Sequence, residues 1–339
     1  MATIRQIAKT VGVSSATVSR VLNFDATLSI TPGKRQAIID TAESLNYATP
    51  RHRNRAGRHG LDRIALVHAL KPDQELLDPY YIGMRLGIES CCQRLRIESR
   101  KVYAGDSLPE QHLLQDAPGV IAIGNYGAAE IDWLERHSRH LVFADFAPPG
   151  DGIDCAFADL PYAMEKLLQG LLDLGYRRIG FAGWIETAAR DPLGEMRCSA
   201  YRRFLEARGL FDPAICLTEL NAQRNSELIG YRIAERLLAV TPPPDVVVCC
   251  NDHVAIGAYR AINEHGLVIP RDIAVASFND ISAAQFLNPP LSTVHLPSEE
   301  IGETAVELLL ERIAGRAIAK RVSLGTRMMW RSSTKTEGL

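Results

Sequence analysis

From residue 61 onward, short apolar runs of strand type alternate with amphipathic helical runs, and that alternation leaves few folds open. The segments 63–69, 119–123, 140–145, 178–182, 245–250 and 273–278 read as buried strands. Between them, 82–95, 162–174, 197–208, 228–238 and 254–265 place apolar residues at helical spacing. Strands that are continuously apolar and separated by helices build βαβ units, hence parallel sheets covered on both faces. Some 280 residues exceed one comfortable core, so two doubly wound α/β lobes are expected.

The first 60 residues are different. They carry nine Lys/Arg against three Asp/Glu, a net of +6, which leaves −8 for the rest of a chain whose total is −2. A basic head on an acidic body suits a protein in which only the head meets a polyanion. No stretch reaches the roughly 20 apolar residues of a membrane span. The start, Met1-Ala2-Thr3-Ile4-Arg5, lacks the apolar core of a secretory signal. Seven cysteines without C-x-x-C spacing indicate neither a zinc site nor a disulfide framework. A cytoplasmic, reducing location with no membrane partner, no metal and no cofactor is therefore expected.

Within the head, Thr3-Ile4-Arg5-Gln6 fits a capping box opening a short helix with Ile4, Ile7 and Ala8 on one face, ended by Gly12. Ser14 or Ser15 then caps a second helix over 16–22, with Val18, Val21 and Leu22 inward. Thr31-Pro32 heads a third helix running to about Leu45, with Ile38, Ile39, Ala42 and Leu45 inward. Two short helices around a glycine turn form a helix-turn-helix. The N-terminal end of the second helix of such a unit enters the major groove. Ser15 and Ala16 are thereby directed at base edges, with Thr17, Ser19 and Arg20 near phosphates or an outer base. Ser14 is either a base reader or the helix cap.

The run Gly12-Val13-Ser14-Ser15-Ala16-Thr17-Val18-Ser19-Arg20-Val21-Leu22-Asn23, with Ala42-Glu43-Ser44-Leu45-Asn46-Tyr47, resembles the DNA-binding head of the LacI/GalR family. The body carries further matching segments: Gly175-Tyr176-Arg177-Arg178-Ile179-Gly180, Cys250-Asn251-Asp252-His253-Val254-Ala255, Gly266-Leu267-Val268-Ile269-Pro270 and Pro290-Leu291-Ser292-Thr293-Val294. Together they cover nearly the whole chain. The resemblance implies a helix-turn-helix domain over residues 1–48 that includes Thr3 and Asn23 in its DNA contacts, and a hinge over 49–60. It also implies a periplasmic-binding-protein-like body over 61–339, divided into one lobe of about 61–158 plus 291–319 and another of 159–290 plus 320–339. In this family the hinge forms a helix on operator DNA and wedges a leucine into the minor groove. No leucine stands between Leu45 and Leu61 here, and Arg51, Arg53 and Arg55 supply charge instead.

Ligands of open α/β sheets bind at the carboxyl ends of the strands, which nominates Asp145, Trp184, Asn251 and Asn279. A sugar needs convergent donors and acceptors beside an apolar ring face, and these side chains supply both. The family resemblance adds Tyr81 and Arg197. Each has a plainer reading: Asp145 and Asn251 as helix caps, Tyr81 and Trp184 as core, Arg197 as a surface partner of Glu195. Asn279 stands where many family members carry aspartate, so it replaces a charge by an amide donor. The expected protein is a homodimeric repressor on a near-palindromic operator, released by a sugar effector such as a β-galactoside. The chain ends soon after Trp330 without the leucine-heptad tail by which some relatives form tetramers. Rival readings are an enzyme acting on a sugar and a regulator whose ligand strengthens DNA binding. No phosphate loop, G-x-S-x-G elbow or H-E-x-x-H pair is present to favour the first.

Overall fold

The computed structural model describes residues 4–22, 28, 30–44, 61–103, 112–115, 117–185, 196–220 and 226–335. Its contacts divide the chain into a small unit built on residues 1–62 and a large remainder.

The small unit has three helices, α1 (Ile4–Val11), α2 (Ser15–Leu22) and α3 (Pro32–Ser44). Gly12 ends α1 at φ +70°, and Val13 N–H then donates to the Ala8 carbonyl at 3.0 Å, a Schellman turn that a side chain at position 12 would strain. Ile7, Ala8, Val18, Val21, Ile38 and Ala42 meet in a buried core, with Ile4, Leu22 and Ile39 packed against it. These are the inward positions expected from helical spacing. Full burial of Ile7, Val18 and Ile38 stabilises the unit by roughly 1.5–3 kcal/mol each.

The large unit begins with β1 (Arg63–His68), α4 (Pro72–Leu76), α5 (Pro79–Leu95), β2 (Glu98–Tyr103), α6 (His112–Gln115), β3 (Val120–Ile123), α7 (Ala128–His137), β4 (Leu141–Ala144) and β5 (Asp154–Ala158). It continues through α8 (Leu160–Asp173), β6 (Ile179–Ile185), α9 (Met196–Glu206), β7 (Cys216–Leu220), α10 (Ser226–Leu238), β8 (Val246–Cys249), α11 (Asp252–Glu264) and β9 (Ala274–Asn279). The last elements are β10 (Ser292–His295), α12 (Ser298–Ile313), β11 (Arg321–Leu324) and β12 (Arg327–Met329). One sheet runs β11-β5-β4-β3-β1-β2 and the other β12-β10-β9-β8-β6-β7. Every pair is parallel except β10 with β12. Two doubly wound lobes are thus observed, as the alternation predicts.

The lobe limits differ from the expected ones. Pro290-Leu291 does not mark the return to the first lobe, because β10 pairs with β9, Ser292 opposite Ala276. The chain leaves the second sheet only at Pro297, which cannot donate to a ladder. Conversely β11 lies in the first sheet, Arg321 opposite Cys155, although residues from 320 onward were expected in the second. Strands β2, β5, β7, β10, β11 and β12 escaped sequence reading; the edge strands β2 and β11 lack the continuous apolar run of a central strand, because their burial alternates or fails.

Two helices of the second lobe meet backbone to backbone. A Cβ on Gly257 of α11 would stand 1.9 Å from the Glu227 carbonyl oxygen, and one on Gly230 of α10 would stand 2.0 Å from that of Val254. This close approach sets the start of α11, and with it Asn251 and His253, against α10.

Candidate effector cleft and nucleic-acid interface

In the head, the cap of α2 is Ser14. Its Oγ accepts the Thr17 amide at 3.0 Å and lies 2.8 Å from the Thr17 hydroxyl. Ser14 is therefore a helix cap, and Thr17 is tied to the cap as well. Ser15 and Ala16 are exposed on the first turn, Ser19 is half-buried, and Arg20 is exposed one turn on. The arrangement presents small, exposed side chains on the first turn, which suits close approach to a polyanion. Thr3, Asn23, Arg51, Arg53 and Arg55 lie outside the described residues.

In the body, strand ends from both lobes converge. Asp145 follows β4 at φ +71°, and Asn279 ends β9 at φ +106°. Non-glycine residues held in that region are strained and collect at functional sites. The Asp145 carboxylate accepts a hydrogen bond from the Tyr80 hydroxyl and another from Tyr81. Burial pushes its pKa up to about 6, opposed by those bonds and by the charge of Arg197. Arg197 stands in the first turn of α9, its guanidinium 5.8 Å from the centre of the Phe278 ring. Tyr80 and Tyr81 meet edge to face, with ring centres 5.3 Å apart. Thus Asp145, Tyr81 and Arg197 are brought into one cluster, and Asp145 is not a helix cap.

Asn251 is both buried and a cap: its Oδ1 accepts the Val254 amide at 2.9 Å at the head of α11. Trp184 sits near the end of β6, and its indole N–H is buried without a hydrogen-bond partner among the described residues. A donor so placed costs about 1–3 kcal/mol unless something else accepts from it.

Two further residues belong to this neighbourhood. Asp78 begins α5, where its Oδ1 accepts the Tyr80 amide at 3.1 Å. Burial raises its pKa, while the charges of His253 and Arg197, both from the second lobe, pull it down. His253 is held by Glu227 at 2.7 Å and is raised by that bond against the opposing effect of burial. The available signal was the segment Asp78-Pro79-Tyr80-Tyr81, in which a carboxylate and two aromatics open a helix directly after β1 and α4.

A buried carboxylate supports the second strand end. Asp252 accepts from Ser277, from Thr293 at 2.8 Å and from the Ile281 amide at 2.8 Å. Asp280, itself at φ +58°, pairs with Arg331 at 2.7 Å. These bonds hold the turn on which Asn279 stands. Among the described residues no three His, Cys, Asp or Glu side chains gather as metal ligands, and no helix is long and apolar enough to cross a membrane.

Residues 3–50 match the family model for bacterial regulatory proteins of the lacI family, and residues 168–334 match a periplasmic binding protein-like domain. The transcriptional regulator GalR of Lacticaseibacillus casei is 35% identical over 98% of this chain and 100% of its own length. This chain belongs to the LacI family. It is a helix-turn-helix transcriptional regulator, and its relatives are named regulators and repressors, not enzymes. The lactose operon repressor of Rhizobium radiobacter is 58% identical to this LacI-family regulator over 31% of the chain and 94% of that protein. In fold the chain is similar to a complex of the regulator CelR with cellobiose, with a TM-score of 0.69, 23% identity and coverage of 98% and 100% of the two chains.

Proposed function

We propose that this LacI-family regulator is a repressor of a carbohydrate operon, released from its operator by a galactoside. The observation that carries the reading is the convergence of Asp145, Tyr81 and Arg197 between the lobes, with Asp145 and Asn279 on strained backbone. Charged and amide groups there address ring hydroxyls, while Tyr81 and Trp184 offer faces to the sugar ring. A bound sugar would give the Trp184 N–H an acceptor that none of the described residues supplies. Asn251 and Asn279 add amide groups from the second lobe. Galactoside chemistry is supported by the names of the relatives, GalR at 35% identity and a lactose operon repressor at 58% over part of the chain.

On the DNA side, Ser15 and Ala16 read base edges and Arg20 grips a phosphate or guanine, with Ser14 and Thr17 fixing the helix start. Residues 1–48 form the DNA-binding domain, and the arginines at 51, 53 and 55 follow the minor groove in place of a leucine wedge. Two copies occupy the half-sites of a near-palindromic operator. Exposed Leu76, Leu77 and Leu86 on the first lobe and Leu228 on the second supply apolar surface for that dimer. Effector binding shifts the lobes and hence the spacing of the two heads.

Fluorescence anisotropy on a palindromic operator, with and without lactose or galactose, tests the reading. Weaker DNA binding in either sugar supports it. Tighter binding in sugar makes the ligand a corepressor, and indifference to both sugars removes the galactoside.

A further inference from the structure

Cys198 and Cys216 bring their sulfurs to 3.7 Å, within hydrogen-bonding contact for two thiols. Cys198 follows Arg197 in the first turn of α9, and Cys216 opens β7, the edge strand of the second sheet. None of the seven cysteines is in a disulfide; five are buried, and Cys198 and Cys216 are partly exposed. The contrast in chemistry follows. Burial pushes Cys92 up to about 12 and raises Cys91, Cys155 and Cys249. Cys216 instead lies below the usual thiol range, through its bond with Cys198 and the nearby Arg202 guanidinium, with burial opposing. A thiolate is the reactive form of cysteine, and this one is adjacent to a second thiol that can resolve it.

We propose that Cys198 and Cys216 form a redox-modification site, which a peroxide converts to a disulfide that draws the first turn of α9 onto β7 and weakens effector binding. The Cys216 thiolate attacks one peroxide oxygen, the O–O bond breaks, and hydroxide leaves and is protonated to water. The resulting sulfenic acid is attacked by the Cys198 thiolate, which forms the S–S bond and expels a second hydroxide, also protonated. In balance, two thiols and one peroxide give one disulfide and two waters; sulfur is oxidised and peroxide oxygen reduced.

The consequence is geometric. A disulfide holds its sulfurs at about 2.05 Å, so they must close by roughly 1.6 Å from the reduced separation of 3.7 Å. On this proposal Arg197, covalently next to Cys198, shares part of that movement. A guanidinium displaced by about 1 Å leaves the distance range of its hydrogen bonds. The loss of affinity rests on Arg197 being an effector contact, as proposed above; formation of the disulfide does not.

The test treats the full-length reduced protein with hydrogen peroxide, blocks remaining thiols and maps the peptides. A peptide joining Cys198 to Cys216, with the protein losing two of its seven thiols, is the expected result. Lactose affinity falls at least tenfold on oxidation and returns with dithiothreitol, and Cys198→Ser and Cys216→Ser proteins show no peroxide response. Oxidation that stops at other cysteines, or links other pairs, overturns the site. A Cys198–Cys216 link that leaves lactose affinity unchanged overturns the coupling to Arg197. Reduced protein that binds neither lactose nor galactose defeats the sugar reading alone, and peptide mapping still decides the disulfide.

Discussion

With Asp145 in the proposed effector site, effector binding should depend on pH in a way that can be calculated. The Asp145 carboxyl has a pKa of about 6 in the folded protein, because burial outweighs the bonds from Tyr80 and Tyr81 and the attraction of Arg197. A raised carboxyl pKa means that this group favours the ligand-free fold most below about pH 4, a contribution lost as pH rises through about 6. In the proposed effector site sugar binding has the opposite sign, since there the ionised carboxylate would be the acceptor for hydroxyls. If only that form binds, the ionised fraction is about 97% at pH 7.5 and about 9% at pH 5 for a pKa of about 6. The apparent Kd for a galactoside therefore rises about tenfold between those pH values, equivalent to about 1.4 kcal/mol. Isothermal titration calorimetry across pH 5–7.5 measures this directly. Other groups face the same space: Asp78 and His253, both raised, and the supporting Asp252, pushed up to about 6. The Asp145→Asn protein separates them, because it keeps the shape and removes the titration. It should bind more weakly at pH 7.5 and show a flat profile through pH 6. A slope that survives the substitution, or a flat profile in the unsubstituted protein, refutes the assignment.

Three shorter expectations follow from the same contacts. Arg197→Ala removes a charged donor worth about 1.5–3 kcal/mol, so calorimetry should show an effector Kd raised by about 10–150-fold, with operator affinity by anisotropy unchanged. Ser14→Ala deletes the cap on α2 and should destabilise the DNA-binding head by about 1 kcal/mol, read as a lower melting temperature of that transition by circular dichroism. Gly257→Ala drives a methyl against the Glu227 carbonyl oxygen, so urea unfolding should show a loss of about 1–3 kcal/mol or more from forced separation of α10 and α11.

How far the sequence reveals this molecule depends on which signal each residue carries. The head core was legible at Ile7, Val18, Val21 and Ile38 because helical spacing and capping are local properties. The internal strands β1, β3, β4, β6, β8 and β9 were legible because an apolar run has few other homes in an α/β chain, whereas β5 and β10, also internal to their sheets, were not read as strands. The crossings between lobes were not. Leu291–Val294 continues a buried sheet, and nothing local distinguishes a strand of one lobe from a strand of the other. In the cleft, Asp145 and Asn279 were found by the rule for strand ends, and their positive φ is visible only in three dimensions. Asp78 and His253 were passed over because each looks locally like an ordinary helix-start residue; their significance lies in facing each other's charge across the two lobes.

That charge balance gives a reason for the asparagine at 279. Asp145 and Asp78 already share the cleft, and Arg197 acts on both, with His253 acting on Asp78. Both carboxyls are held above their ordinary range by burial, so the cleft tolerates negative charge poorly. A third carboxylate on the strained end of β9, beside the Phe278 ring that Arg197 covers, would compete for the same guanidinium. An amide at 279 keeps the acceptor oxygen, adds a donor and leaves Arg197 to Asp145 and Asp78. The substitution Asn279→Asp should therefore raise the pKa of Asp145 further and move the pH midpoint of galactoside binding above about 6, without a large change in fold stability. Calorimetric titrations of the two proteins over the same pH range decide it. A midpoint that stays in place means that the ends of β4 and β9 do not share one electrostatic field, and Asn279 would then act on the effector by hydrogen bonding alone.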